Sequence, residues 1–207
     1  MGVFAYPFGI DIEKTELIFG SKDIELFEKI KKDPYFQNYD EQSGIEEELR
    51  QIIFDYVSKN NRQPTKSRLF GLIKAKDESG LDGEWHNYFY VLLSICSTTG
   101  KDLSRGDVFK WGNEWEQINE LLKKSGSRFD LDRMVRYRKL FDTPFEEHEG
   151  CTNIYEKSEV EDFYTDFLKI EKDIETDSKD TLEFYSDFKN VIKYCKDNRL
   201  DLVTFTI

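Results

Sequence analysis

Residues 198–207, NRLDLVTFTI, decide the fold of this chain. Val203, Phe205, Thr204, Thr206 and Ile207 are β-branched or aromatic and suit a strand better than a helix. The opposite end, residues 1–11, MGVFAYPFGID, has the same composition. An isolated strand leaves its backbone N–H and C=O groups without partners, so each terminal segment needs a neighbour. The long stretch between them reads almost wholly as helix. The two ends are therefore expected in one small sheet, covered by the helices that separate them in sequence. The expectation is an α+β fold: a mostly helical single globular domain over residues 1–207, with a small sheet that includes the N- and C-terminal strands.

The helical middle is read from its periodicity. DIEKTELIFGSKDIELFEKIKKD (11–33) predicts two short helices split at Gly20, with Ile24, Phe27 and Ile30 inward. In SGIEEELRQIIFDYV (43–57), Ser43 and Glu46 have capping-box spacing, and Ile45, Leu49, Ile52, Ile53 and Tyr56 recur on one face. EWHNYFYVLLSICSTTG (84–100) is apolar on nearly every side, as a helix at the centre of a fold is. GNEWEQINELLKKSG (112–126) starts at Asn113, buries Trp115, Ile118 and Leu122, and stops at Gly126. Residues 130–141 fit a helix or a strand equally. Ser158 and Glu161 predict a second capping box, for a helix carrying Val160, Phe163, Tyr164 and Phe167. A final helix, about residues 178 to 198, is expected to bury Leu182, Tyr185, Phe188, Ile192 and Cys195.

Composition narrows the classes of function. The 207 residues include 42 acidic and 30 basic side chains, a net charge of -12, which opposes general binding to nucleic acid or anionic lipid. The hydrophobic fraction is 38% but aromatics reach 15%, so the expected core is rich in Phe and Tyr. Three cysteines, Cys96, Cys151 and Cys195, are odd in number and widely spaced, which fits reduced thiols rather than a disulfide framework or a zinc site. The N-terminal segment has no basic region followed by a long apolar run, and no stretch approaches the ~18 apolar residues of a membrane span. A cytoplasmic protein without a membrane segment is expected.

Several landmarks, taken in order, resemble a known group. MGVFAYPFGIDIEKTELIFGSKD (1–23), Trp85 with the aromatic run ending STTGKDL (97–103), TNIYEKSEVEDFYTDFLKI (152–170), a long helix and a terminal apolar strand are similar to the YfbM-like group of uncharacterised bacterial proteins. This chain is longer, chiefly around residues 34 to 75 and 125 to 150. The resemblance implies a bacterial α+β domain. It implies no activity and transfers no catalytic residue.

Chemistry-bearing residues are few. His86, Tyr90, Ser94 and Ser97 form a polar stripe on the apolar central helix. It reads either as a general base beside a pocket or as a hydrogen-bonded seam between packed helices, and the seam is the commoner use of such groups. PFEEHEG (144–150) surrounds His148 with glutamates but lacks helical H-E-x-x-H spacing, so it reads as a solvated acidic loop. STTGKD (97–102) lacks the leading glycine and trailing hydroxyl of a phosphate loop. Cys151 lies close to His148 in sequence, which is weak ground for a catalytic pair. No metal and no cofactor is expected.

Charge segregation is the strongest signal. Between Glu156 and Glu183 lie eleven acidic and four basic side chains. Two basic islands oppose them: Lys59, Arg62, Lys66, Arg68, Lys74 and Lys76, then Arg128, Arg133, Arg136, Arg138 and Lys139. The expected function is a non-enzymatic protein-binding module for a cationic protein partner, with an immunity protein that neutralises a bacterial toxin as its specific form. Glu159, Asp162, Asp166 and Glu171 are the partner-binding candidates, placed on the solvent face of their helix. The alternative is an enzyme with a pocket around His86, Tyr90 and Ser94.

Overall fold

The computed structural model describes residues 3–56, 85–104, 109–111, 114–131, 151–174 and 179–206. Its elements are β1 (Val3–Ile10), α1 (Ile12–Glu16), α2 (Ile24–Ile30), α3 (Pro34–Ser43), α4 (Glu46–Arg50) running into a π-helical turn (Gln51–Asp55), and α5 (Trp85–Thr99). They continue with β2 (Lys101–Asp102), β3 (Phe109–Trp111), α6 (Glu114–Lys124), β4 (Cys151–Tyr155), α7 (Lys157–Lys169), α8 (Glu171–Ile174), α9 (Lys179–Asn198) and β5 (Asp201–Thr206). The fold is α+β and mostly helical, with the terminal strands in one sheet. Contacts divide the chain into two compact units: residues 1–10, 102–140 and 145–207, and residues 11–101 with 141–144.

In the first unit β5 lies between β1 and β4, and both pairings are antiparallel. Ile10 stands opposite Asp201 and Ala5 opposite Thr206. β3 pairs with the start of β1. Every residue of β5 is buried, so both faces of this strand are covered. That burial takes in the polar side chains of Asp201, Thr204 and Thr206 as well as the apolar Leu202, Val203 and Phe205, so the polar positions of this strand do not mark a solvent face.

Leu202 and Ala5 project into an aromatic core shared with α6, α7, α8 and α9. There Phe163 stacks on Phe129 at 4.5 Å between centroids, and Phe167 stacks on Tyr185 at 5.3 Å. The Tyr185 hydroxyl donates to the Phe167 carbonyl at 2.7 Å, so its polar end is satisfied inside the core. Gly9 lets α9 approach the sheet: a Cβ there would stand 3.2 Å from Cys195 Sγ and 3.1 Å from Leu200 Cδ1.

The α9 stripe follows a helical period through Thr181, Phe184, Tyr185, Phe188, Val191, Ile192 and Cys195. Leu182 falls off that stripe and is 44% exposed, against the expectation that it is buried. The predicted box of Ser158 and Glu161 is replaced by one two residues earlier. The Glu156 N–H donates to Glu159 Oε2 at 3.0 Å, and the Lys157 N–H donates to Asp201 Oδ1 at 2.9 Å. The β5 carboxylate thus fixes where α7 begins.

In the second unit the centre is α5, whose Tyr88, Phe89, Val91, Leu92, Leu93, Ile95 and Cys96 are all buried. Phe27 and Ile30 of α2 turn inward as expected, but Ile24 overhangs the helix start and is 67% exposed. The proposed cap at Ser43 is also corrected. Pro34 and the Asp33 cap start an additional helix, α3, which runs through Ser43 and ends at left-handed Gly44. The Glu46 N–H is met by Asp40 Oδ1 at 3.1 Å.

The π-helical turn has a clear structural use. Its wider winding leaves the Ile52 and Ile53 carbonyls free to accept from Gly20 N–H at 2.8 Å and Lys22 N–H at 2.9 Å. Those two residues adopt positive φ, 71° and 58°, to reach them.

Candidate functional site

On the central helix the described members of the polar stripe, Tyr90, Ser94 and Ser97, all have partners. Ser94 is buried, and its hydroxyl donates to the Tyr90 carbonyl one turn back at 2.8 Å. Ser97 donates to Asp33 Oδ2 at 2.7 Å. The Tyr90 ring stacks on Tyr39 with centroids 3.5 Å apart, and desolvation raises the Tyr90 pKa against the opposing effect of its hydrogen bond to Tyr39. Thr99 closes the helix by donating to the Ile95 carbonyl at 2.7 Å. His86 lies in the first turn of α5 by its backbone, and its side chain is outside the described residues. Ser97 and Tyr90 thus tie α5 to Asp33 and Tyr39.

The acidic candidates have local partners. Glu159 serves the start of α7. Asp162 Oδ2 accepts from Arg128 Nη2 at 2.6 Å, and Glu171 Oε1 from Lys189 Nζ at 2.5 Å. Asp166 departs furthest from expectation. It is buried rather than on the solvent face, and it accepts from Ser127 Oγ at 2.7 Å and Lys169 Nζ at 2.6 Å. Burial pushes the Asp166 pKa upward, but the hydrogen bonds from Lys169 and Ser127 outweigh it and hold the carboxyl below its ordinary value. Its place was legible: Val160, Phe163, Asp166, Phe167 and Ile170 share the inward stripe.

Other acids of this segment do face solvent. Glu161, Asp180 and Glu183 are exposed, and among the described residues no cation pairs with them. Leu168 and Leu182 are exposed on the same two helices, at 43% and 44%.

A second constellation was not foreseen. On α4 and α5, buried Asn87 donates from Nδ2 to Oε1 of buried Glu48 at 2.8 Å. Beside it the Tyr88 hydroxyl donates to Gln51 Oε1 at 2.7 Å. The pairs join residues 39 and 37 positions apart, so no local spacing announces them. Glu48 reads in sequence as one of three successive surface glutamates.

Among the described residues no group of His, Cys, Asp and Glu could hold a metal ion, and no helix is long and apolar enough to cross a membrane. His148, the first basic island, and Arg133, Arg136, Arg138 and Lys139 lie outside the described residues, as does the choice between helix and strand for residues 132–141. Cys151 opens β4, opposite Thr206. The chain matches no family model, no curated protein and no solved structure.

Proposed function

We propose that the protein is a non-enzymatic protein-binding module of the cytoplasm that presents an acidic face to a cationic protein, with an immunity protein as the specific form this chemistry fits. The proposal includes the YfbM-like affiliation read from the sequence landmarks. The observation that carries it is the contrast between the two polar groupings. The α5 hydroxyls are bonded within their own helix or to its neighbours, whereas Glu161, Asp180 and Glu183 keep exposed carboxylates on the two helices that also expose Leu168 and Leu182. Exposed like charges with apolar side chains among them suit a surface that attracts its partner at a distance and then desolvates against it. The acids already bonded within the chain, Glu159, Asp162, Asp166 and Glu171, contribute to the field but would lose an internal partner on contact. The face therefore centres on the unpaired acids.

The enzyme reading around His86, Tyr90 and Ser94 is less well supported, because the Ser94 hydroxyl is spent on the Tyr90 carbonyl.

The test is cross-linked capture from the native host, followed by association kinetics with the identified protein. The variant E161Q/D180N/E183Q is expected to associate more slowly and with a flatter salt dependence, while dissociation changes much less. Equal rates and equal salt slopes for native and variant would remove the acidic face from the proposal.

A further inference from the structure

Glu48 and Asn87 are 7% and 8% exposed, and they are bonded through one atom each. The other two atoms, Glu48 Oε2 and Asn87 Oδ1, are buried with no hydrogen-bond partner. With Glu48 ionised both are acceptors, so they cannot satisfy one another. The neighbouring bond from Tyr88 to Gln51 ties α5 to the π-helical turn that continues α4. A buried acceptor left bare costs about 1–3 kcal/mol, and a buried carboxylate with no compensating charge costs more. The arrangement calls for a small group that donates at least two hydrogen bonds and carries positive charge.

Three kinds of occupant can be compared. A divalent cation of the oxygen-seeking kind needs about six oxygen ligands, and no metal-binding group is found among the described residues. A water molecule supplies two donors and leaves the carboxylate unbalanced. An ammonium group supplies the donors and the charge together, as lysine does in a buried ion pair. We propose that Glu48 Oε2 and Asn87 Oδ1 form a receptor for an ammonium group, either the free ion or the end of a small primary amine. The site uses residues of α4 and α5 only and is independent of the acidic face.

The experiment is a thermal denaturation series on the full chain at constant pH and ionic strength. Sodium chloride is replaced stepwise by ammonium chloride, methylammonium chloride or tetramethylammonium chloride. The midpoint is expected to rise and saturate with ammonium and methylammonium, and to stay flat with tetramethylammonium, which has no N–H to donate. A rise with ammonium alone keeps the site and restricts it to the free ion. Glu48→Gln places an amide nitrogen where Oε2 stands and lets the side chain supply Asn87 Oδ1 itself. This variant should lose the ammonium-dependent rise while keeping its midpoint in sodium chloride. Should it fail to fold, protected [15N]ammonium protons in the native protein are the second readout. No ammonium-selective rise together with no protected ammonium signal, or the same rise in native protein and Glu48→Gln, overturns the proposal in favour of an ordered water or of a Glu48 carboxyl that keeps its proton and donates to Asn87 Oδ1 itself.

Discussion

Ser127 Oγ donates to Asp166 Oδ2 at 2.7 Å while accepting the Phe129 N–H at 3.1 Å. The hydroxyl is thus a link between a helix carboxylate and the turn that delivers Phe129 onto Phe163. An acid expected on the solvent face is part of the mounting of the aromatic core.

Asp166→Asn is expected to destabilise the protein by about 1–3 kcal/mol, the usual penalty for disturbing a buried, charge-assisted hydrogen-bond pair. Glu161→Gln, by contrast, should stay within about 0.5 kcal/mol of native. Because the Asp166 carboxyl is held below its ordinary value, its contribution is present above the unfolded carboxylate pKa and is lost as pH falls through the folded one. Urea denaturation at pH 7 and at stepwise lower pH should show the variant's deficit shrinking toward acid.

Gly20 combines a φ of 71° with a Cβ position only 2.6 Å from the Tyr56 carbonyl oxygen. Gly20→Ala should therefore cost well above the ~1–2 kcal/mol of a left-handed alanine alone. Gly126→Ala has a similar φ of 78° with nothing within 4 Å of the added carbon, and should show only the conformational part. Chemical denaturation of the two variants, side by side, separates the clash from the backbone preference. Equal losses would count against the close approach of the 18–22 segment to the π-helical turn.

Burial pushes the Cys96 and Cys195 thiols up to about 12, with Asp201 adding to the effect at Cys195. In the unfolded chain both ionise from about pH 8.5 upward while the folded thiols stay protonated, so stability falls as pH climbs from there toward 12. The slope should be roughly 1.4 kcal/mol per pH unit for each thiol. A Cys151→Ser background is expected to react with a thiol reagent at pH 8 only as fast as it unfolds. Rapid labelling of native protein would contradict the buried placement.

Phe205 is 0% exposed in the strand between β1 and β4, and its ring meets Phe8 edge-on at 5.8 Å. Phe205→Ala should cost about 3–5 kcal/mol. Removing residues 203–207 should abolish cooperative melting of the first unit, since β1 and β4 then lose their shared neighbour. A truncated chain that melts at the native temperature would be incompatible with this sheet.

The legible part of the fold was what local pattern controls. The terminal strands are apolar and β-branched, and α5 is apolar all round, so their burial followed from composition. The misplaced helix caps occurred where the start of a helix is set from outside it. Asp201, distant in sequence, captures the Lys157 N–H and moves the α7 cap away from Ser158. Asp40 serves Glu46 and relieves Ser43 of a capping role. Glu48 and Asn87 were invisible for the same reason, since their chemistry exists only once two helices meet.

The pairing of Ile10 with Asp201 also bears on how the protein is made. Roughly 190 residues separate these partners, and at 5–20 residues per second the ribosome needs about 10–40 s to add them. Throughout that interval β1 is a nascent segment whose β5 partner does not yet exist, while α1 to α5 have their own neighbours at hand. Segments rich in β-branched and aromatic residues that wait in this way are the ones that chaperones shield. Pro7 lacks the N–H that would help β1 pair with a second nascent chain, so it acts as a guard over the delay.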